Sequence, residues 1–310
     1  MSIGAVVIGR NEGARLERSL QGLAGQVTQI VYVDSGSTDG SVAMARGLGA
    51  EVIELDMQQP FTAARARNAG MAALGEGITL VQFLDGDCIL RDGWLAVAEA
   101  HLSAHPQVAV VCGRRREENP ETSVYNRLID REWDTPVGEA RACGGDALMR
   151  LEALRALGGY RAEMIAGEEP ELCQRLRRAG WQIWRLDAEM TWHDAQITKV
   201  GQWWWRSLRA GHAFAEGAAL HGRGPDRHWV AETRRALLWG ALLPAVILLL
   251  ALMLPWAGLG LALIYPLQLL RLMRRGGAAW GFFTLLGKFP EALGVLKYHM
   301  RRDGRIIEYR

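Results

Sequence analysis

Two carboxylates separated by one glycine, Asp85 and Asp87, follow an apolar segment of the 310-residue chain. Carboxylate oxygens are hard ligands that suit Mg²⁺ or Mn²⁺. Gly86 between them has no side chain, so a diphosphate can approach the backbone closely. A divalent ion held here would bridge the diphosphate and neutralise the charge that grows as it leaves. The pattern therefore predicts a Mg²⁺ or Mn²⁺ site at Asp85 and Asp87.

Two other polar turns follow apolar segments nearer the N-terminus. Residues 9–12 are Gly-Arg-Asn-Glu, and residues 34–40 are Asp-Ser-Gly-Ser-Thr-Asp-Gly. One such turn alone indicates little, since Asp39 could simply cap the helix that follows. Three of them, each placed after an apolar segment, favour one shared ligand site.

The elements that must position these turns are short β-branched segments alternating with helical ones. This alternation predicts βαβ units that build a mostly parallel α/β sheet flanked by helices. Ligands of such sheets bind beyond the carboxyl ends of the strands, where the three polar turns fall. The predicted strands are 5–8, 29–33, 51–55, 79–84 and 108–112, and the predicted helices are 13–24, 41–48, 62–74 and 93–104.

Charge is distributed unevenly along the chain. The net charge is +2, but residues 229–310 carry eleven basic and four acidic side chains, so the first 228 residues are net acidic. An acidic main domain argues against nucleic acid as its partner, because phosphate backbones require a basic face. The basic end of the chain favours an anionic membrane surface.

The cysteines and the N-terminus indicate the compartment. Cys88, Cys112, Cys143 and Cys173 have neither metal nor disulfide spacing, so we expect core residues in a reducing environment. No signal-peptide pattern opens the sequence, and the main domain is therefore expected in the cytoplasm.

Residues 236–270 contain no charged side chain, and basic residues flank both ends. A straight helix of this length would exceed a hydrocarbon core of about 30 Å, so we expect it to turn near Pro255 and form a hairpin. Because basic residues favour the cytoplasmic side, we expect both ends of the hairpin to lie on that side. Each arm has only about 17 residues, which leaves a spanning and a re-entrant hairpin open. A soluble core hairpin is disfavoured because no face carries a charge.

Two segments beside the hairpin, 202–220 and 280–298, mix aromatic with basic residues, a composition typical of the membrane interface. Trp203 to Trp205 fit a protein core equally well. The predicted organisation is a cytoplasmic domain over 1–228 and a membrane hairpin with interfacial helices over 229–310. We expect the chain at the cytoplasmic face of the inner (cell) membrane, associated through residues 236–298.

Residues 3–194 resemble the inverting family 2 glycosyltransferases, whose fold is called GT-A. The resemblance is carried by Ile8-Gly9-Arg10-Asn11-Glu12, by Val33 to Gly40, by Ala66-Arg67-Asn68-Ala69-Gly70 and by Asp85-Gly86-Asp87. It implies a GT-A-type sheet, here followed by the C-terminal helical membrane region, and a nucleotide-diphosphate sugar as donor. UDP- and GDP-sugars both remain open, since Ser35 stands where the family has a second acid. The residues implied to bind the donor are Arg10, Glu12, Asp34, Ser35, Arg67, Asp85, Gly145 and Asp146.

The acceptor side shows a second part of the resemblance. Cys143 to Arg150, Gly158 to Tyr160 and Gly167 to Leu172 resemble the family's run from a Gly-rich loop to its catalytic acidic motif. By position, Glu169 takes the place of the general base, with Glu168 as the alternative, and His193 takes that of a third metal ligand. Without the family, Glu168 to Glu171 would indicate only an acidic helix start, and His193 a surface histidine.

The predicted activity is the inverting, metal-dependent transfer of one sugar to a hydroxyl or phosphate of a membrane acceptor, polyprenyl-linked, in polysaccharide or glycolipid synthesis. Residues 174–178 do not match the Gln-x-x-Arg-Trp motif of processive synthases, which favours a single transfer. A nucleotidyltransferase is disfavoured, because it would need a phosphate-binding Gly-rich loop with Arg or Lys directly after the first strand, and the turn at residues 9–13 is too short and too acidic for one. A non-catalytic membrane scaffold of a polysaccharide assembly complex is the alternative, and the oligomeric state is left open.

Overall fold

A computed structural model of the chain describes residues 1–300, and that part contains nine strands and fourteen α-helices. The strands are Ile3–Gly9 (β1), Gln29–Asp34 (β2), Glu51–Glu54 (β3), Leu80–Asp85 (β4), Cys88–Leu90 (β5), Val108–Glu117 (β6), Gly138–Ala140 (β7), Ala147–Arg150 (β8) and Gln182–His193 (β9). The helices are Ala14–Leu23 (α1), Ser41–Gly47 (α2), Ala63–Ala73 (α3), Trp94–Ala104 (α4), Val124–Glu132 (α5), Leu151–Ala156 (α6), Glu168–Arg178 (α7), Val200–His221 (α8), Val230–Leu237 (α9), Leu243–Met253 (α10), Pro255–Ala262 (α11), Ile264–Gly276 (α12), Ala278–Leu286 (α13) and Lys288–Met300 (α14).

The strands form one sheet in the order β3-β2-β1-β4-β8-β6-β9-β5, with β7 beside β9. Strands β3, β2, β1 and β4 are parallel to one another, as are β6 and β9. Strand β8 runs antiparallel to both β4 and β6, so its first residues meet the carboxyl end of β4. The predicted α/β class is confirmed as a mostly parallel mixed sheet flanked by helices.

Strand β1 lies in the parallel half of the sheet, and all its residues from Ile3 to Ile8 are buried. A near-continuous apolar strand is expected where helices cover both faces of a parallel sheet. Helix α3 approaches this strand closely, since a β-carbon at Gly70 would overlap the Val6 side chain. Glycine at position 70 therefore sets how near α3, and the residues it carries, lie to the sheet.

The predicted strands and helices of the first 112 residues are all present, with ends shifted by at most two residues except in β6. Strand β6 continues to Glu117, five residues past its predicted end, because its pairing with β9 persists through several irregularities although the apolar pattern stops. Strands β5, β7 and β8 have three or four residues, too few to show an alternation in the sequence.

The chain divides into two compact units. The first, the sheet unit, comprises Met1–Thr122 and Ile129–Gln196; the second, the helical unit, comprises Ser123–Leu128 and the chain from Ile197 onward. This division differs from the boundary predicted at residue 228, because α8 belongs with the later helices.

Helices α8 and α14 approach each other closely. A β-carbon at Gly211 in α8 would overlap the Glu291 carbonyl in α14, and one at Gly294 would overlap the Leu208 carbonyl. Glycines on both helices thus allow α8 and α14 to pack almost backbone to backbone. Residues 301–310 of the predicted membrane region lie outside the described residues.

Two spans of the helical unit are long and apolar enough to cross a membrane, Val230–Met253 and Pro255–Gly276. They meet at the predicted tip, where Leu254 leaves the helical conformation (φ −140°) and Pro255 starts the second span. Leu252 and Trp256 at this tip are 75% and 86% exposed to solvent. Apolar surface of this kind is normally buried in a partner or a membrane. The two spans fit the predicted hairpin and suggest membrane association.

Candidate active site

The carboxyl ends of three parallel strands bring the polar turns to one edge of the sheet. Gly9 is in register with Asp34, and Ile8 is in register with Asp85. The antiparallel entry of β8 adds the Gly-rich segment that ends at Asp146, because Ala147 pairs with Phe83 of β4. These registers bring Asp34, Asp85 and Asp146 to one edge of the sheet.

Asp34 at the end of β2 holds the turn that follows it. One carboxylate oxygen, Oδ2, accepts hydrogen bonds from the amides of Gly36 (2.9 Å) and Ser37 (2.8 Å), and Oδ1 accepts one from the Tyr32 hydroxyl (2.9 Å). Ser35 is buried beside it, and its Oγ has no partner within the described structure. Asp34 thus shapes the turn through its side chain, while the predicted contact of Asp34 and Ser35 with a donor stays a prediction.

The turn after β1 is tied to the turn after β2 through Asn11. Its Oδ1 accepts a hydrogen bond from the Thr38 amide (2.7 Å), and its own amide donates to Ser37 Oγ (2.8 Å). Asn11 adopts a left-handed conformation (φ 57°), which asparagine tolerates better than most residues. Arg10 before it is exposed, so its predicted role in donor binding stays a prediction.

Glu12 lies next to the acidic pair of β4. Its Oε2 is 2.6 Å from Arg15 Nη2, and its Cγ would contact a β-carbon at Gly86. Burial raises the pKa of Glu12 to about 7, with Asp87 and Asp85 adding to the effect and Arg15 opposing it. A carboxyl group that resists ionisation beside two others indicates a site with excess negative charge, where a bound cation would be favourable.

Two predicted metal ligands, Asp87 just before β5 and His193 at the end of β9, are brought together by the pairing of β5 with β9. Cys88 is in register with His193, and His193 Nε2 lies 3.5 Å from Asp87 Oδ1. Potential ligand atoms of Asp87, Cys88 and His193 all lie within 4.8 Å of one another. The other imidazole nitrogen, Nδ1, lies 3.8 Å from Glu117 Oε2, and Trp133 packs against the ring. A carboxylate next to an imidazole whose second nitrogen faces another carboxylate fits a divalent metal site.

The electrostatics of this group favour the binding of a cation. Burial opposes ionisation of Asp85, but Arg67, Arg115 and His193 outweigh it and hold its pKa below the ordinary value. Burial raises the pKa of Asp87, because the favourable field of His193 only partly offsets burial and the nearby Asp85. Asp87 is thus the carboxylate of the pair with the greater need for a cation.

Asp146 is completely buried, and its oxygens are occupied by the protein itself. Oδ1 accepts a hydrogen bond from the Asp85 amide (3.2 Å); Oδ2 accepts one from Thr191 Oγ1 (2.9 Å) and lies 2.9 Å from Arg115 Nε. These contacts tie β4, β9 and β6 together at the edge of the site. They indicate a structural role for Asp146. Its predicted contact with the donor stays a prediction.

Arg67 on α3 connects the donor side to the acceptor side. Its Nη2 donates to Asp85 Oδ1 (2.8 Å), and its Nη1 donates to Glu168 Oε1 (2.7 Å) and lies 2.9 Å from Glu169 Oε1. The guanidinium is 2% exposed and sits over the Tyr160 ring. A β-carbon at Gly145 would lie 2.7 Å from Arg67 Nη2 and 2.8 Å from Asp85 Oδ2, so this pair requires glycine there.

Glu168 and Glu169 begin helix α7, directly after Gly167 in a left-handed conformation (φ 80°). Burial raises the pKa of Glu169 to about 7; Glu168 adds to the shift and Arg67 opposes it. A carboxyl group that titrates near neutrality can exchange a proton with a substrate hydroxyl. The structure therefore places the two predicted base candidates within reach of the same arginine.

Two residues that hold the site together, Asn68 and Arg115, were not predicted as site residues. Asn68 donates through Nδ2 to the Tyr160 carbonyl (2.7 Å) and accepts from its amide through Oδ1 (2.8 Å), which fixes the loop before α7 to helix α3. Its place in the Ala66 to Gly70 motif was a signal for it. Arg115 had none, because it lies beyond the apolar part of β6, where only pairing with β9 shows that the strand continues.

Comparisons with known proteins agree with this geometry. Residues 5–157 match the family model described as Glycosyl transferase family 2. The succinoglycan biosynthesis protein ExoA of Rhizobium meliloti is 27% identical over 254 residues, which cover 76% of each chain. A pre-mycofactocin glycosyltransferase of Mycobacterium tuberculosis is 29% identical over 70% of this chain, which spans only 47% of that relative.

Solved structures show the same fold. One is the mannosyltransferase PcManGT from Pyrobaculum calidifontis, solved with GDP-Man and Mn²⁺. It has a TM-score of 0.64 and 20% sequence identity, and the match covers 97% of this chain and 88% of the PcManGT chain. TarS from S. aureus has a TM-score of 0.55 and 16% identity over 76% of this chain, and 43% of TarS is covered. At these identities the likeness concerns the fold alone.

Proposed function

The chain carries a family 2 glycosyltransferase domain in residues 5–157, and from that premise we propose that it transfers one sugar from a nucleoside-diphosphate sugar, with inversion, to a lipid-linked acceptor at the membrane. The enzyme class and the GT-A fold predicted from the sequence are confirmed by the family match and by the fold of PcManGT. Metal dependence, donor and acceptor are the parts we propose.

One observation carries the proposal: Arg67 joins the donor-side Asp85 and the acceptor-side Glu169 in a single buried ion-pair cluster. Direct displacement at a sugar carbon requires the leaving diphosphate and the general base on opposite sides of that carbon. A cluster that fixes a candidate metal ligand and a candidate base relative to each other supplies such an arrangement. A non-catalytic scaffold would not need a base with a pKa of about 7 beside it.

Asp85, Asp87 and His193 would hold Mn²⁺ or Mg²⁺. The oxygen and imidazole donors suit Mn²⁺ in particular, and the excess of carboxylates favours a cation at this place. When bound, the ion neutralises the charge that the nucleoside diphosphate acquires as it leaves. PcManGT, which shares the fold, was solved with GDP-Man and Mn²⁺, which is consistent with a nucleoside-diphosphate sugar and a divalent ion for this chain.

Glu169 acts as the general base in this mechanism. Its carboxylate takes the proton of the acceptor hydroxyl while that oxygen attacks the anomeric carbon. Arg67 holds the carboxylate through Oε1 and keeps it oriented toward the site. Glu168, whose Oε1 accepts the shorter hydrogen bond from Arg67 and which is the more deeply buried of the two, serves to fix that arginine.

The acceptor is proposed to be membrane-bound, because the helical unit carries two apolar spans. An enzyme that acts on a water-soluble acceptor would gain little from such an anchor. The name of the Rhizobium meliloti relative, a succinoglycan biosynthesis protein, is consistent with polysaccharide assembly. The cytoplasmic face is proposed from the basic residues at both ends of the hairpin.

A donor panel tests the proposal. The full chain is purified in detergent, and its melting temperature is measured with UDP- and GDP-sugars, each with and without Mn²⁺, because a ligand that binds the folded state raises apparent stability. We expect one donor to raise the melting temperature only with Mn²⁺, and slow release of its nucleotide. Stabilisation without any nucleotide release would favour the scaffold, and the absence of both would contradict the proposal.

A further inference from the structure

The end of helix α12 carries three arginines within five residues, Arg271, Arg274 and Arg275. Together with Leu267 and Leu270 they line a groove of about 390 Å³ on the surface of the helical unit. Nothing in the proposed transfer reaction uses these residues. They lie in a single helix, so their arrangement follows from the helix itself.

The groove changes from apolar to cationic along the helix axis. Leu267, Leu270 and Arg274 are three and four residues apart, and Arg271 and Arg275 beside them are four residues apart, which places the two sets on adjoining faces of the helix. At 1.5 Å per residue, the step from Leu267 to Arg274 is about 10 Å. Leu267 and Leu270 are 65% and 52% exposed. An amphiphile with a short apolar part next to an anionic head matches this order.

The three positive charges lack an internal counterion. No acidic residue occurs between Arg271 and Glu291 in the sequence. Within residues 1–300 the structure shows no ion pair for the three guanidinium groups, all of which are exposed. Arg271 lies three and four residues from Arg274 and Arg275, and like charges at these spacings on a helix repel one another. An external anion is therefore favourable at this place.

The other end of the hairpin, at the end of α9, has an internal counterion. Arg235 at the end of α9 donates to Glu232 Oε1 (2.8 Å) and to the Ala231 carbonyl (3.2 Å). With Glu232, Arg234 and Arg235, that end carries a net charge of +1, smaller than that of the three arginines of α12. Both ends adjoin the uncharged segment, so a general attraction of basic residues to the membrane would act equally on Arg234 and Arg235 and on the three arginines of α12.

We propose that the groove formed by Leu267, Leu270, Arg271, Arg274 and Arg275 binds the phosphate headgroup of an anionic membrane phospholipid, with the start of one acyl chain against the two leucines. Arginine presents paired donors that match phosphate oxygens, and all three basic residues here are arginines. The site lies where the charge-free span ends, at the level expected for lipid phosphates. The proposal rests on the membrane hairpin of the proposed function, not on its chemistry.

Lipid binding to the full chain in mild detergent tests the site. Fluorescently labelled phosphatidylglycerol is titrated into the protein and followed by anisotropy, with labelled phosphatidylcholine as the neutral lipid. The variant Arg271→Gln with Arg274→Gln is compared with Arg234→Gln with Arg235→Gln, which removes the same charge from the other end of the hairpin. We expect the first pair to weaken phosphatidylglycerol binding at least tenfold and the second less than twofold. A third variant, Arg271→Lys with Arg274→Lys, keeps the charge but loses the paired donors and should weaken binding about threefold.

Equal losses in the two glutamine pairs would show attraction by net charge alone and overturn the site. Unchanged binding in the first pair would also overturn it. Inorganic phosphate at millimolar concentration should displace little lipid, because it has no chain to contact Leu267 and Leu270; complete displacement would indicate a simple anion site and contradict the lipid assignment. Extraction of membranes with alkaline carbonate separates this result from a failure of the hairpin: the unaltered chain should stay in the pellet, and its release would refute the hairpin itself.

Discussion

At the scale of single residues, the acidic edge of the sheet divides its carboxylates by environment. Asp146 and Asp34 are buried and bonded to the protein, whereas Asp87 and Glu169 have raised pKa values and lie where a ligand could reach them. Groups of the first kind shape the site, and groups of the second kind are candidates for chemistry. Predictions at this scale follow from that division.

Asp87→Asn should abolish Mn²⁺-dependent nucleotide binding without unfolding the protein. The amide loses the charge that holds the ion but keeps the side-chain shape, and Asp87 lies at the rim of the sheet rather than in its core. Isothermal calorimetry with UDP or GDP, with and without Mn²⁺, measures the effect. Asp92→Asn, an exposed acid a few residues later, is the matched control and should leave the affinity unchanged. Equal Mn²⁺-dependent affinities in Asp87→Asn and the unaltered chain would remove Asp87 from the metal site.

Glu169→Gln should lower the rate of sugar transfer about 10²- to 10⁴-fold and leave donor affinity nearly unchanged, since a general base acts in the transition state. Glu168→Gln should do less, because an amide oxygen still accepts the hydrogen bond from Arg67. Initial rates at saturating donor and donor affinities decide between them. A larger loss in Glu168→Gln would exchange the two roles, and normal transfer in both variants would place the base elsewhere.

The pH dependence of transfer follows from the pKa of Glu169. Burial and Glu168 raise this pKa to about 7, and only the carboxylate form can accept a proton. The value of kcat/KM should therefore rise about tenfold per pH unit below 7 and level off above it. The measurement needs saturating Mn²⁺ so that metal binding does not add its own limb. In Glu169→Gln the residual activity should lose this limb, and a limb that persists there would assign it to another group.

At the scale of elements, helix α3 serves as the connector of the site. Three residues of its motif contact different elements: Arg67 reaches β4 and α7, Asn68 reaches the loop before α7, and Gly70 lets the helix approach β1. Packing and ion pairing therefore account for the placement of these three residues. This finding gives Arg67 a positioning role in addition to the one implied by resemblance.

Asn68→Ala should destabilise the protein by about 1–3 kcal/mol, because it leaves the Tyr160 amide and carbonyl without their partners in a partly buried place. Urea denaturation of the full chain in detergent measures the change. Asn68→Asp keeps an acceptor for the Tyr160 amide but loses the donor to its carbonyl, so its loss should be intermediate if both hydrogen bonds matter. Equal stability of all three proteins would show that this contact does not hold the loop.

At the scale of the whole molecule, the two apolar spans suggest membrane association, and their topology can be tested. Reporters fused after Arg235 and after Gly276 should both give cytoplasmic signals, since basic residues flank both ends of the apolar segment. A reporter inserted after Leu254 distinguishes a spanning hairpin, with an external signal, from a re-entrant one. Opposite sides for the first two reporters would refute the hairpin topology.

The sequence by itself determined the parallel half of the sheet and the apolar hairpin. Both depend on local patterns that can be recognised without knowledge of tertiary contacts. These are the alternation of short β-branched and helical segments and a long run without charge. The same patterns placed Asp34 and Asp85 at one edge, because parallel strands have their carboxyl ends together. The motif of Asp85 and Asp87 then indicated metal chemistry before any distance was known.

The roles of those residues depend on tertiary contacts, which the sequence does not show. Whether Asp146 faces a ligand or the protein depends on Arg115 and Thr191, which are 31 and 45 residues away in the chain. The link from Arg67 to Glu168 spans 101 residues, and the pKa of Glu169 depends on that link and on burial. The place of α8 in the helical unit likewise depends on contact with α14. Burial and long-range ion pairs are sums over distant parts of the chain, so no local pattern of residues contains them.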